Sequence, residues 1–357
     1  MLVAAPLREA ASWLASPAAR RILALLFAVL AGQLAFAGYD AVALGLPIVR
    51  EEPAGFALHL LVQTAFLLAV SALLVAALVR ARAPSCPLDG ESIGPAGLAA
   101  GLAAMAAAAA ATALLVADPV AFHAGAQEDR PLEWASALLL LVGAGLFAWR
   151  AVRRRDGPIA MLIAAGLCLV LAVIGLEEIS WGQRLFGFAT PETLAEVNWQ
   201  QEFNFHNVQT DLFETLYYAG AAVFLVLLPL LRDLLPAAAV DHPLAAFLPR
   251  RGIALLSLPL LWFDYGHWDL YAIQLGAMLA LFATIAWAQA AWRRDDSGEA
   301  ALFALAAAAL VVGKIVYLAW GPTMVDLPDA TEYKEFFIAL GFAGFALTAV
   351  PARKTAR

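Results

Sequence analysis

Charge is the scarcest commodity in this chain. Only 14% of its 357 residues are Asp, Glu, Lys or Arg, against a hydrophobic fraction of 63%. A water-soluble domain carries about 25% charged residues, so that class is excluded. A mean hydropathy of +0.79 requires a chain that lives in a lipid bilayer. Cysteine is nearly absent too: Cys86 falls in a Pro-rich loop and Cys168 in an apolar run. A disulfide needs Cα atoms within about 7 Å, and two thiols at different depths do not meet that condition. The same scarcity excludes a Cys-based zinc motif. Also missing are a Walker loop, a dinucleotide fingerprint and any nucleic-acid-binding signature, so no nucleic acid is expected as a partner.

What the chain has is apolar runs. They fall at about 22–38, 56–79, 95–117, 132–149, 158–176, 212–231, 252–266, 270–291, 301–320 and 335–350. A bilayer core of about 30 Å takes about 20 helical residues to cross. The expected fold is therefore all-α: one polytopic membrane domain over residues 1–357, with about ten transmembrane helices. The seventh run is the weakest, because it is short, contains Pro259 and reaches Asp264 and His267 quickly. Ala35-Phe36-Ala37 imitates a signal-peptidase site, but the polar segment before it is too long for a signal peptide, and the run is kept as a span.

Basic residues test this count independently. Alternate loops hold Arg8, Arg20 and Arg21; Arg80 and Arg82; Arg150, Arg153, Arg154 and Arg155; Arg232, Arg250 and Arg251; Arg293 and Arg294; then Arg353, Lys354 and Arg357. That leaves only Arg50, Arg130, Arg184, Lys314 and Lys334 of the 22 for everything else. Positively charged loops stay in the cytoplasm, which places both termini there, with residues 1–21 as a cytoplasmic segment. The carboxylates gather on the opposite side, where topology does not force them.

The chemistry concentrates in an extracytoplasmic loop, residues 177–211. Glu177 and Glu178 end the fifth run, and adjacent carboxylates at a membrane boundary must be hydrated, paired, protonated or cation-bound. On a continuing helix Glu177, Ser180 and Trp181 share one face, before Gly182 and Gly187 break it. Thr190-Pro191-Glu192 reads as the start of a short interfacial helix. Glu202 and His206 stand one helical turn apart, a spacing that suits shared ligation of a divalent metal such as zinc; a structural His at a helix entry fits the same spacing. The expected catalytic set is Glu177, Glu178, Ser180 and His206, and the expected metal set is Glu178, Glu202, His206 and His267. Trp181, Gln183, Arg184, Asn198, Gln200, Asn204 and Asn207 supply amides, a cation and an aromatic face for a polyol or sugar headgroup, though Trp also collects at membrane interfaces in general. Lys314 is the one basic residue inside a run. An intramembrane Lys needs a partner, expected to be Glu177 or Glu178, with outward snorkelling as the alternative, and Lys314 is counted with the substrate-binding set.

The segment E-E-I-S-W-G-Q-R-L-F-G-F, continuing to N-W-Q-Q-E-F-N-F-H-N, resembles one found in a group of uncharacterised bacterial polytopic membrane proteins, and E-D-R-P-L-E-W-A-S resembles a second segment of that group. The resemblance implies a bacterial cytoplasmic (inner) membrane protein in which residues 128–136 and 177–207 belong to one site. It implies no activity. The Glu, Ser and His content also resembles membrane hydrolases of the alkaline ceramidase type, whose Ser-x-x-x-His and His-x-x-x-His spacings do not occur here. Three functions fit this sequence. The first is an enzyme acting at the outer leaflet on a lipid or lipid-linked glycan, as a hydrolase or transferase with or without metal. The others are a scaffold or assembly subunit that docks envelope proteins, and a cation-coupled transporter or channel.

Overall fold

A computed structural model describes residues 16–50, 57–127, 130–153, 157–198, 200–321 and 330–349. Among these there is no strand, and the chain is the all-α polytopic bundle expected. Its main helices are α1 (Pro17–Leu44), α2 (Leu58–Arg80), α3 (Pro95–Ala117), α4 (Pro119–Gly125), α5 (Pro131–Arg153), α6 (Pro158–Glu178), α7 (Thr210–Leu234), α8 (Arg251–Ser257), α9 (Tyr271–Arg293), α10 (Ser297–Trp320) and α11 (Thr331–Ala349). Proline opens α1, α3, α4, α5 and α6, at the one helical position where its missing N–H costs nothing. Side chains of Ser16, Asp118 and Asp296 cap α1, α4 and α10 by accepting the N–H groups of Ala19, Ala121 and Glu299.

Nine helical segments among the described residues are long and apolar enough to cross a bilayer, not ten. The last apolar run, α11, misses that standard because Glu332, Lys334 and Glu335 crowd its first turns. It nevertheless runs the length of α5. Gly143 brings α5 against Ala343 and Ala346 of α11, and at the far end the Arg150 guanidinium donates to the Ala349 carbonyl.

The seventh of these nine, Pro243–Leu261, is not one continuous helix but a short 3-10 turn, Pro243–Phe247, followed by α8 and a second 3-10 stretch. α8 is seven residues long and continues as four residues of 3-10 helix, Leu258–Leu261, a rise of roughly 18 Å. That is about half a membrane. The other half is irregular: Trp262–Leu270 is buried throughout. Irregular backbone survives at membrane depth only where protein or a cavity satisfies it, and here side chains from four helices and the Arg50 segment anchor it. Asp264 accepts from Lys314 of α10 at 2.5 Å and from Lys334 of α11. Asp269 accepts from Arg50 at 2.9 Å, and its carbonyl accepts from Gln63 of α2 at 2.9 Å. His267 lies 3.4 Å from Glu214 of α7. Gly313 of α10 lets the segment in, since a Cβ there would stand 2.7 Å from Trp262.

The two ends of the bundle differ. One carries residues 179–209. The other is knitted by arginine: Arg82 to Asp89, Arg232 to Glu91 and Asp233, Arg251 to Asp233 and the Pro87 and Glu91 carbonyls, Arg294 to Glu299 and the Leu88 carbonyl.

Candidate functional site

At the loop-bearing end, α6 leans on α5, while α7 packs on α8 and α9. The space left between α5, α6, α7 and α11 is a cavity of about 910 Å³, roofed by residues 200–207. Ligand sites typically measure about 300–1,000 Å³. Seven glutamates line it: Glu133, Glu177, Glu178, Glu202, Glu214, Glu332 and Glu335, from four helices and the loop. Among the described residues, His206 is the only basic side chain in the lining, with no Lys or Arg beside it there. Val173 and Ile174 of α6 and Phe213 and Leu216 of α7 form an apolar wall. Val173, Phe213 and Leu216 are 38%, 45% and 62% exposed at the bundle surface. The cavity therefore opens sideways, between the last turns of α6 and the first turns of α7.

The roof is built by a break in the helix that arrives earlier than Gly182. α6 stops at Glu178, and Ser180 and Trp181 precede Gly182 in the left-handed region, with φ of 46°, 55° and 77°. Gln201 follows at 58°. Non-glycine residues held there cost of order 1–3 kcal/mol each and gather at functional sites. What holds them is visible. Trp181 Nε1 donates to Glu177 Oε1 at 2.5 Å, and Glu177 Oε2 accepts the backbone N–H groups of Phe205 and His206 at 2.7 and 3.1 Å. Ser180 donates its hydroxyl to Glu202 and accepts from Asn204 at 3.1 Å. Arg184 holds the other oxygen of Glu202 at 2.5 Å. Asn198 donates to the side chain and carbonyl of Asn204, Asn207 donates to Gln200, and the Gln183 amide bridges Thr190, the Phe188 carbonyl and the Phe203 N–H.

This redistributes the expected roles. Of the catalytic set, Glu177, Glu178 and His206 line the cavity and Ser180 does not. Glu177 is a staple between α6 and the returning chain, both of its oxygens engaged. His206 Nδ1 lies 3.4 Å from Glu177 Oε2, not beside Ser180. Of the substrate-binding set, Trp181, Gln200, Asn204 and Asn207 line the cavity, whereas Gln183, Arg184 and Asn198 brace the roof from outside it. The four-residue metal set does not assemble. Glu202 is turned to Ser180 and Arg184, His206 to Glu177, His267 to Glu214 and the Tyr218 ring, and Glu178 to Glu335. Among the described residues no three His, Cys, Asp or Glu side chains gather as a metal site.

The Lys314 expectation is also corrected. Its ammonium pairs with Asp264 and sits 4.5 Å over the Trp268 ring, because the irregular crossing brings Asp264 into the bundle interior beside it. The short interfacial helix is one turn, Glu192–Ala195. Glu128, Asp129 and Trp199 lie outside the described residues.

Several cavity residues were not singled out from the sequence. Glu335, 9% exposed, accepts from Tyr218 Oη at 2.9 Å and lies within hydrogen-bonding reach of the Glu178 carboxyl, with Glu332 and Glu133 in charge range. Tyr217 lines the cavity too, and its hydroxyl is shielded from water with no hydrogen-bond partner among the described residues. The signal for Glu335 was present: α11 opens T-E-Y-K-E, three charges at the start of an apolar run. No protein-family model, curated protein or solved structure matches the chain.

Proposed function

We propose that this protein is a membrane-embedded enzyme that takes the headgroup of a lipid or lipid-linked glycan into the carboxyl-lined cavity and works on it by acid–base chemistry. The observation that carries this reading is the sideways mouth between α6 and α7. It offers an apolar wall to acyl or isoprenoid chains and a polar chamber to whatever they carry. Seven glutamates, with no Lys or Arg among the described lining residues and only Glu202 paired to an arginine behind the roof, favour a headgroup rich in hydrogen-bond donors, hydroxyl or ammonium. An anionic group would be repelled. The Tyr217 hydroxyl and the Trp181 and Phe205 rings add a donor and flat apolar surface of the kind sugar rings need. In a hydrolysis or transfer, one carboxyl protonates the leaving oxygen as its bond breaks, and an ionised one takes the proton of the incoming water or hydroxyl.

The side that faces outward follows from charge. The arginine-rich end fits the cytoplasm and the cavity the outer leaflet of a bacterial inner membrane. A second reading, cation-coupled transport, draws on the half-helix and buried irregular segment at 251–270, a construction used at transporter binding sites.

The test is native mass spectrometry of protein taken directly from membranes, wild type beside Val173→Trp and Leu216→Trp, which fill the mouth without touching a carboxyl. Retained amphiphile should fall at least tenfold in both variants, by analogy with the loss of a few kcal/mol of binding. Absence of any retained amphiphile in wild type, or equal retention in all three, would refute the lateral-entry reading. Incubation with a membrane lipid extract, wild type against Glu178→Gln, then separates an enzyme, which leaves a product, from a transporter, which moves ligand between leaflets and leaves it chemically unchanged.

A further inference from the structure

We propose that Glu178 carries the proton of a Glu178–Glu335 carboxyl pair, and that Tyr218 and Lys334 fix it there, which makes Glu178 the proton donor of the cavity and Glu335 its ionised partner. This deepens the enzyme reading by naming the acid, and it rests on that reading only for the identity of the acceptor.

Two carboxyl groups within hydrogen-bonding reach of one another need one proton between them. The surroundings decide which keeps it. Tyr218 Oη donates to Glu335 Oε1 at 2.9 Å, and a phenol O–H donated to a carboxyl stabilises its ionised form. The Lys334 ammonium sits 3.8 Å over the Tyr218 ring, where its charge polarises the phenol toward donation. Lys334 and Lys314 share the single carboxylate of Asp264, so this buried triad carries one positive charge in excess on the far face of the Tyr218 ring. Among the described residues the charged neighbours of Glu178 are carboxyls, Glu133 of α5 and Glu332 and Glu335 of α11, and Tyr217 of α7 lies beside it. His267, the remaining titratable group on the irregular segment here, meets Tyr218 edge-on at 5.6 Å and pairs with Glu214. Negative neighbours on one side and a positive triad on the other send the proton to Glu178.

In the step this permits, the Glu178 O–H bond breaks, its proton moves to a headgroup oxygen or nitrogen, and the new carboxylate later regains a proton from water entering the cavity. Lys334 and Tyr218 are positioning residues throughout.

Infrared difference spectroscopy of the full chain in lipid nanodiscs counts protonated carboxyls directly. At neutral pH Glu178→Gln should remove one protonated-carboxyl equivalent, while Glu335→Gln leaves the count unchanged. Lys334→Met should add one, as Glu335 takes up a proton. Tyr218→Phe, which keeps the ring and its packing, should shift the band of the remaining carboxyl proton. Loss of the equivalent in Glu335→Gln with retention in Glu178→Gln would overturn the assignment, as would no change in either. An unmoved band in Tyr218→Phe would overturn the role of Tyr218 even where another variant fails to fold. Lipid retention measured on the same samples keeps the two ideas apart: empty protein with the expected carboxyl count refutes lateral entry alone.

Discussion

Asp264 is the residue whose loss should do the most damage, and the geometry dictates an unusual pattern of rescue. Two ammonium groups, Lys314 and Lys334, converge on its carboxylate, and all three side chains are at most 9% exposed. Asp264→Asn leaves two buried ammonium groups facing each other with no counter-charge. Removing one partner of a buried pair costs about 3–5 kcal/mol, and here both pairs break. Lys314→Met is milder, because Asp264 keeps Lys334; about 1–3 kcal/mol is expected from the lost charge-assisted hydrogen bond. The double variant should then be more stable than Asp264→Asn alone, since it deletes one of the stranded charges. Thermal unfolding of the detergent-solubilised protein reads this out. Asp264→Asn should lower Tm by on the order of 10 °C, from about 2–4 °C per kcal/mol, with part of the loss recovered on adding Lys314→Met. Costs that simply add, or a harmless Asp264→Asn, would refute the triad and return Lys314 to snorkelling along α10.

Three further outcomes are expected. Glu177→Gln weakens three charge-assisted hydrogen bonds to Trp181, Phe205 and His206; at about 1.5–3 kcal/mol for a bond to a charged group, proteolytic cleavage within residues 183–204 should speed up at least tenfold, measured by timed digestion with intact-mass readout. Gly313→Leu drives a side chain into Trp262; such overpacking costs about 1–3 kcal/mol, and Trp fluorescence with Tm should report it, whereas the same change at Gly166, with open space around it, should be silent. At the arginine-rich end, the Arg82 hydrogen bond holds the Asp89 carboxyl below its usual range, and Glu91, although burial opposes its charge, is held low by Arg232. Groups held low stabilise the fold above their ordinary value near 4 and lose that contribution as pH falls through the lowered one. Tm should therefore drop as pH falls below about 4, with a shallower drop in Glu91→Gln, followed by scanning calorimetry.

The sequence disclosed some of this and hid the rest for identifiable reasons. Hydropathy located every spanning segment, and the shortness of the run at 252–266 with Pro259 marked the place where helix fails. It could not show that the failure is completed by Trp262–Leu270, because aromatic and apolar residues read as span whether the backbone is helical or not. The Glu177–Asn207 stretch drew attention by its density of polar groups alone, and residues from it line and roof the cavity. Its internal wiring was not. Gln183, Asn198 and Arg184 look like ligand contacts in one dimension, yet they hold left-handed turns at Ser180, Trp181 and Gln201 in place. Those turns are invisible to periodicity because none of the three is glycine. Glu335 was missed for the opposite reason: it lies in an apolar run far along the chain, and only packing of α11 beside α6 and α7 brings it to Glu178.

An ionised side chain in a bilayer interior is costly enough that it persists only with a partner or a function, and this molecule separates the two cases by location. Arg50 is closed by Asp40 and Asp269, Asp264 by two lysines, and Arg232 and Arg251 by Asp233 with Glu91 and Glu299. Each of these networks ties an irregular or terminal segment to helices distant in sequence, so each has a structural reason to exist. The cavity lining follows another rule. Carboxyls from α5, α6, α7, α11 and the loop converge there, with one histidine and no lysine or arginine among the described lining residues. Two of them are held from outside the lining, Glu202 by Arg184 and Glu214 beside His267. Under the reading proposed above, a proton held between Glu178 and Glu335 does at this site what lysines do at Asp264.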